Sequence, residues 1–144
     1  MDDAPGRWKF FPHTADAKFT AYGQTMEECF TNAGIACFEI ITETKKVKSV
    51  KRHTISVKAK RPTALLFDFL DELLFLLDTE GLLVCDIQDM AICEEEDTWL
   101  LTAKVFGDYH KGYDVSCNVK AVTYNDMELK ETDKGWECTV VVDL

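Results

Sequence analysis

The sequence predicts an α+β fold: a two-layer single domain, with two helices packed on one face of a largely antiparallel sheet. Two segments carry apolar residues at helical spacing, and several others alternate apolar and polar residues as strands do. No internal repeat and no linker rich in Pro, Gly or Ser divides the 144 residues. We therefore expect one domain over residues 1–144.

The first half of the chain is predicted to contain two strands, a helix and a third strand. Residues 7–12 and 16–22 have extended character, and Thr25 and Glu28 then form a capping box, with Thr25 as the N-cap. The helix carries an apolar stripe at three- and four-residue spacing, formed by Met26, Cys29, Phe30, Ala33, Cys37, Ile40 and Ile41. Alternation around Ile55 predicts a strand over 47–60.

The second half is predicted to begin with a helix and to continue as strands. Pro62 is suited to a helix start, the helix runs to about Asp78, and Gly81 is a natural C-terminal stop. The strands that follow are predicted over 82–94, 98–106, 119–124, 127–131 and 136–142. The segment from Thr132 to Gly135 has the sequence of a hairpin turn.

Composition indicates an intracellular protein. The chain is 47% hydrophobic and 29% charged, which is ordinary for a globular domain, and no apolar stretch reaches the length of a membrane span. Its first residues lack the features of a signal peptide, so we expect a cytoplasmic location, with the nucleus added if the source is eukaryotic. The six cysteines form no C-x-x-C pair and no zinc-type spacing. We expect reduced thiols that pack as small hydrophobes.

The net charge of −10 argues against direct high-affinity binding of nucleic acid, whose phosphates are held chiefly by Lys and Arg. Basic residues concentrate only between Lys45 and Arg61. In a strand this concentration is more simply the solvated face than a nucleic-acid patch. If the protein serves RNA chemistry, we expect it to act through another protein.

Two groups of polar residues in the first 81 positions could carry chemistry. His13 and Asp16 lie three residues apart between two predicted strands, where they could form a catalytic pair or donate to a metal. A structural histidine with a turn-forming aspartate explains them at least as well. Asp78 and Glu80 lie at the end of the second helix, where the helix dipole disfavours carboxylates. Either basic neighbours compensate them, or they serve a cation or a partner.

The last residues form a third candidate site. Alternation of Trp136, Cys138, Val140 and Val142 predicts a buried strand, with Asp143 in the opposite phase. The Asp143 carboxylate and the main-chain carboxylate of Leu144 are hard oxygen donors of the kind that Ca²⁺, Mg²⁺ and Mn²⁺ prefer. A solvated terminal acid is the simpler alternative. No nucleophile elbow, phosphate-binding glycine loop or dinucleotide fingerprint occurs, so independent catalysis is not expected.

Taken together, several segments resemble the archease family over nearly the whole chain. They are His13–Asp16, Tyr22–Gly23, Thr25–Ile41, Leu65–Phe75, Asp78–Gly81, Lys120–Met127 and Trp136–Leu144. The chain departs from the family pattern at Asn125, where histidine is frequent, and at Ala17–Lys18, where an aliphatic residue is frequent. The resemblance implies a two-layer α+β fold.

The resemblance also implies a function. Archeases assist the RtcB-type RNA ligase, which uses GTP and Mn²⁺ in tRNA splicing and RNA repair, by promoting ligase guanylylation and multiple turnover. Carried over by position, the family's divalent-cation site (Ca, Mg or Mn) falls on Asp16, Asp143 and the main-chain oxygen of Leu144. A partner-facing acidic surface is expected at Asp78, Glu80, Asp126 and His13. The competing hypotheses are a chaperone-like binding module for RNA-processing enzymes and a metal-dependent hydrolase using His13 and Asp16.

Overall fold

The computed structural model describes residues 6–12 and 16–144. The elements of this part of the chain, in order, are strands β1 (Trp8–Phe11) and β2 (Asp16–Gly23), helix α1 (Met26–Ile41), strand β3 (Lys51–Ala59), helix α2 (Pro62–Glu80), and strands β4 (Leu82–Glu95), β5 (Thr98–Tyr109), β6 (Ala121–Thr132) and β7 (Gly135–Asp143). A short 3₁₀ turn, Thr44–Lys46, follows α1. The α+β class predicted from the sequence is confirmed.

The helix ends are determined by local chemistry. The Thr25 hydroxyl accepts the Glu28 main-chain N–H at 3.1 Å, and the Glu28 carboxylate accepts the N–H of Gln24, also at 3.1 Å. The capping box is confirmed, with the carboxylate reaching one residue further back than the N-cap. Helix α2 begins at Pro62 and ends at Gly81, which adopts the left-handed conformation (φ 68°) and donates its N–H to the Leu77 carbonyl at 2.9 Å.

The strands form two antiparallel sheets, whereas the sequence predicted one. The first sheet has the order β1-β2-β7-β6, and the second has the order β3-β5-β4. Alternation along a strand shows which side chains face the core, but it carries no information about which strands pair. β2 comes early in the sequence and β7 comes late, and the two pair within the first sheet. The strands β3, β4 and β5, which lie between them in the sequence, form the second sheet.

Each helix packs against strands of both sheets, so the helices do not simply cover one face of one sheet. Helix α1 contacts β2 and β7 of the first sheet and β4 of the second, and α2 contacts β6 of the first and all three strands of the second. Gly34, in the middle of α1, permits this close approach. A Cβ at Gly34 would lie 2.6 Å from Ile87 Cδ1 and 3.1 Å from Leu73 Cδ1.

Two strand predictions need correction. The strand predicted over 47–60 begins only at Lys51. Val47 instead donates its N–H to the Thr44 carbonyl at 3.1 Å, as part of the 3₁₀ turn. The strands predicted over 119–124 and 127–131 are one strand, β6, whose register with β7 is interrupted between Thr123 and Glu128. An irregularity of this kind gave the appearance of a break in the alternation.

Exposure agrees with the expectation for the basic residues of β3 and for three of the six cysteines. All six cysteines are free thiols; Cys29, Cys37 and Cys138 are buried, and Cys93 is exposed. Exposed residues of β3, including Arg52 and Lys58, alternate with more buried ones, which is the pattern of a solvated face. Neither helix in the described part of the chain combines the length and apolarity that crossing a bilayer requires.

Candidate functional site

The register of β2 and β7 brings two carboxylates side by side. Asp16 is the first residue of β2, and it pairs directly with Asp143, the last residue of β7. Directly opposed residues of an antiparallel pair project to the same face, with Cα atoms about 4.5–5.5 Å apart. The two aspartates therefore share one face at one end of the sheet, which is the arrangement that the predicted cation site requires.

The chain around Asp143 is held by main-chain bonds. Its carbonyl accepts the N–H of Lys120 at 2.8 Å, just before the point where Ala121 of β6 pairs with Asp143 from the side opposite to Asp16. β7 lies between β2 and β6 and is hydrogen-bonded to both. The side chain of Asp143, the last residue of β7, is exposed. Leu144 follows Asp143 directly, and its side chain is partly buried against the core.

The donor set fits a hard divalent cation only in part. Two carboxylates and one main-chain oxygen are the ligand types that Ca²⁺, Mg²⁺ and Mn²⁺ prefer, and these ions take six or more ligands. Within residues 6–12 and 16–144, no three His, Cys, Asp or Glu side chains gather as metal ligands. His13 lies outside the described residues. The described residues would therefore supply only part of a coordination sphere, and the metal role of Asp16, Asp143 and Leu144 stays a prediction.

A lysine and a third carboxylate lie on the same face of the sheet. Lys18, two residues after Asp16, places its Nζ 3.5 Å from an oxygen of Asp126 and 5.8 Å from the centre of the Phe11 ring. These residues border a cavity of about 420 Å³ that includes Thr20 and Thr139, whose hydroxyls lie 2.9 Å apart. Asp126, predicted as part of an acidic surface, is thus tied to the strand that carries Asp16.

The irregular segment of β6 presents Asp126. Asp126 has φ 54°, and Asn125 donates its N–H to the Thr123 hydroxyl at 3.2 Å. That hydroxyl donates in turn to the Val141 carbonyl at 2.9 Å, so the segment is fastened to β7. Asn125 itself is exposed at the position where histidine is frequent in the family.

Asp78 and Glu80 border a different cavity. It measures about 660 Å³ and is lined by residues 77–81 and 108–111. An oxygen of Glu80 lies 3.5 Å from His53 Nε2. In the described part of the chain, no ion pair involves Asp78. A shared surface between these two acids and the Asp16–Asp143 pair stays a prediction.

Asp108, which lines this cavity, accepts two hydrogen bonds and lies near the charges of Lys51 and Lys48. The Tyr113 hydroxyl donates to Asp108 at 2.7 Å, and the Tyr109 N–H donates to the same carboxylate at 2.8 Å. These two bonds, with a smaller contribution from the lysine charges, hold the pKa of Asp108 below its usual value. These contacts favour the ionised form of the Asp108 carboxylate.

Sequence reasoning missed the Lys18–Asp126 and His53–Glu80 pairs. Each pair joins elements that are distant in sequence, and no local pattern marks either partner. Lys18, which lies where the chain departs from the family pattern, has a specific contact with Asp126 in the structure.

The comparisons with known proteins concern nearly the whole chain. The model of the Archease protein family (MTH1598/TM1083) matches residues 8–144. Protein archease of Methanosarcina barkeri is 37% identical over 146 residues, covering 100% of both chains. The solution structure of Methanobacterium thermoautotrophicum protein 1598 is 36% identical, with a TM-score of 0.83, covering 96% of this chain and 99% of that one.

A more distant structure shows the same fold. It is the crystal structure of an archease from Thermotoga maritima, described as a possible chaperone, with a TM-score of 0.60 and 18% identity. The match covers 94% of this chain and 96% of that chain.

Proposed function

The chain belongs to the archease family, and from this premise we propose that it is an accessory protein that activates a GTP- and Mn²⁺-dependent RNA ligase of the RtcB type. Its role is to promote guanylylation of the ligase and to sustain multiple turnover in tRNA splicing and RNA repair. The observation that carries the proposal is the direct pairing of Asp16 with Asp143 at one end of the first sheet.

The charge of the protein supports action through another protein. With 26 acidic and 16 basic residues, the chain is repelled by RNA as a whole. A protein partner that carries the cationic nucleotide and RNA sites could instead attract this acidic surface. The Asp16–Asp143 end would then approach the entrance of the ligase active site.

At that entrance, the two carboxylates and the Leu144 main-chain oxygen would supply part of a coordination sphere. Asp16, Asp143 and the Leu144 main-chain oxygen would hold the cation, which would supply positive charge to stabilise the phosphate groups of GTP. Lys18, whose Nζ lies 3.5 Å from Asp126, reduces the net negative charge of the face that carries Asp16 and Asp143. The same contact helps to position the Asp126 side chain. Because the residues in the described part of the chain would supply only some of the ligands, a partner that completes the site would explain why activity needs both proteins.

The test replaces each aspartate by asparagine, which keeps the size of the side chain and removes the charge. Asp16→Asn and Asp143→Asn should each lower the stimulated rate of ligase–GMP formation by about tenfold or more. The Asp133→Asn variant is the matched control, because it removes one carboxylate in the hairpin turn between β6 and β7. It should stimulate the ligase as the unmodified protein does.

Thermal unfolding of each variant shows whether the fold is retained. Full stimulation by both folded variants would remove the aspartate pair from the mechanism. No stimulation by the unmodified protein would remove the proposed function itself.

A chaperone-like binding module for RNA-processing enzymes is the second candidate, because the related T. maritima protein is described as a possible chaperone. A chaperone of this kind should expose a broad apolar patch. The large apolar side chains that are exposed in the described residues are spread over several elements: Phe10, Val50, Phe75, Tyr109, Val115 and Tyr124. We therefore expect weak binding of a hydrophobic dye, and strong binding would favour the chaperone.

A further inference from the structure

The outer side of α2 leaves an aromatic surface open to solvent. Phe67, Asp71 and Phe75 follow one another at four-residue spacing and so occupy one row of the helix. Phe75 is 57% exposed. Phe67 stacks face to face on Tyr124 of β6, with ring centres 4.2 Å apart, and Tyr124 is itself 55% exposed. We call Phe67, Phe75 and Tyr124 the α2 aromatic surface.

Carboxylates surround this surface, and cations are absent from the helix. Asp68, Asp71 and Glu72 lie beside the aromatic rings, and α2 contains no Lys, Arg or His. Among the described residues, no basic side chain forms an ion pair with any of these three. Partial burial raises the pKa of Asp68, and the charge of Asp71 raises it further. Like charges at three- and four-residue spacing destabilise a helix by electrostatic repulsion. No ion pair among the described residues offsets this repulsion at Asp68, Asp71 and Glu72.

Two carboxylates on other elements have a cation as partner: Asp126 lies 3.5 Å from Lys18, and Asp89 lies 3.0 Å from Lys104. The three α2 carboxylates have no such pair and lie on the helix that carries the exposed Phe75 ring. Exposed aromatic side chains are the usual anchors of protein interfaces, and a ring of acids around them selects a basic partner surface.

The surface is continuous in the chain with the proposed functional face. Tyr124 lies two residues before Asp126, within the irregular segment of β6 that is fastened to β7. Asp126 in turn contacts Lys18, which lies two residues after Asp16. One partner could therefore contact both α2 and the Asp16–Asp143 end of the sheet.

We propose that the α2 aromatic surface is the docking site for a protein partner whose contact region carries Lys and Arg side chains around an apolar pocket, and that this partner is the ligase of the proposed function, on which this inference rests. The rings enter the pocket, and Asp68, Asp71 and Glu72 pair with the surrounding cations. The surface sets affinity, whereas the Asp16–Asp143 pair acts in the reaction.

The experiment measures ligase binding and ligase–GMP formation with one double variant and one control. Phe75→Gln with Asp71→Lys alters the surface at exposed positions only. Val50→Gln with Glu94→Lys makes the same changes in charge and apolarity at exposed positions of other elements. The first variant should bind the purified ligase about tenfold or more weakly, and the control should bind as the unmodified protein does. Binding of the unmodified protein should weaken as salt is added.

Stimulation separates docking from chemistry. The Phe75→Gln/Asp71→Lys variant should reach the full stimulated rate once its concentration is saturating. Unchanged affinity of this variant, an equal loss in the control, or a lasting loss of rate at saturation would each overturn the docking surface while leaving the proposed function in place. If the unmodified protein neither binds nor stimulates the ligase, the proposed function fails, and this inference fails with it.

Discussion

At the scale of single residues, the cysteines differ in exposure and in the pKa of their thiols. Cys37 is fully buried in α1, and burial raises the pKa of its thiol to about 12, because the low-polarity core disfavours the thiolate. Burial also contributes to a raised pKa at Cys138, where the main cause is a hydrogen bond with Cys29. Cys93 is exposed on β4. The thiolate is the reactive form, so burial divides these thiols into reactive and inert groups.

We expect Cys93 to be alkylated by iodoacetamide in the folded protein and Cys37 to remain unmodified. At about pH 8, a thiol with a pKa of about 12 is ionised in roughly one molecule in ten thousand. Mass spectrometry of peptides from the folded and the denatured protein measures the modification of both thiols. Modification of Cys37 in the folded protein as fast as that of Cys93 would contradict the burial described.

Individual site residues could be predicted as candidates, but their neighbours could not. Asp16 and Asp143 stand out as possible oxygen donors in the sequence, and the family resemblance groups them with Leu144. Their direct pairing depends on the register of two strands from opposite ends of the chain. The contact between Lys18 and Asp126 depends on the same register and on the β6 irregularity. Local sequence patterns predict neither the Asp16–Asp143 pairing nor the Lys18–Asp126 contact.

Among the elements, α1 is packed closely on several neighbours. It packs on strands of both sheets and on α2. At Gly34 the approach is close, since a Cβ there would meet the buried side chains of Ile87, Leu73 and Phe69 at 2.6, 3.1 and 3.2 Å. Glycine normally weakens a helix interior, so its presence here is explained by packing.

Gly34→Val should lower the free energy of unfolding by about 1–3 kcal/mol, because the added methyl groups overpack a dense core. The matched control is Gly6→Val, where a Cβ would meet no heavy atom within 4 Å. That control should change the free energy by less than about 0.5 kcal/mol. Urea denaturation measures both variants. A Gly34→Val protein as stable as the unmodified one would show that α1 and its neighbours are less closely packed than described.

Elements set by local chemistry were predicted well from the sequence. The start of α1 follows from Thr25 and Glu28, and the end of α2 follows from Gly81. The division into two sheets was not predicted, because β2 pairs with β7 across almost the whole chain. The same limit explains why the helices were expected on one face of one sheet. Non-local pairing is decided by the complete core, which no single segment encodes.

At the scale of the whole molecule, charge and architecture support one arrangement. The protein carries a net charge of −10. Its carboxylates include the Asp16–Asp143 pair at one end of the first sheet and the acids around the α2 aromatic surface. Such a surface is suited to a basic protein and repels free RNA. Under the proposed function, the protein would influence RNA ligation only while it is bound to the ligase.

The most direct measurement is the rate of ligase–GMP formation by the cognate RtcB-type ligase with GTP and Mn²⁺, with and without this protein. The protein is added in amounts well below those of the ligase. If it is an activator that is released after each encounter, a small amount should accelerate formation of the ligase–GMP adduct throughout the ligase pool. An identical time course with and without the protein, under conditions where the ligase alone is active, would contradict the account.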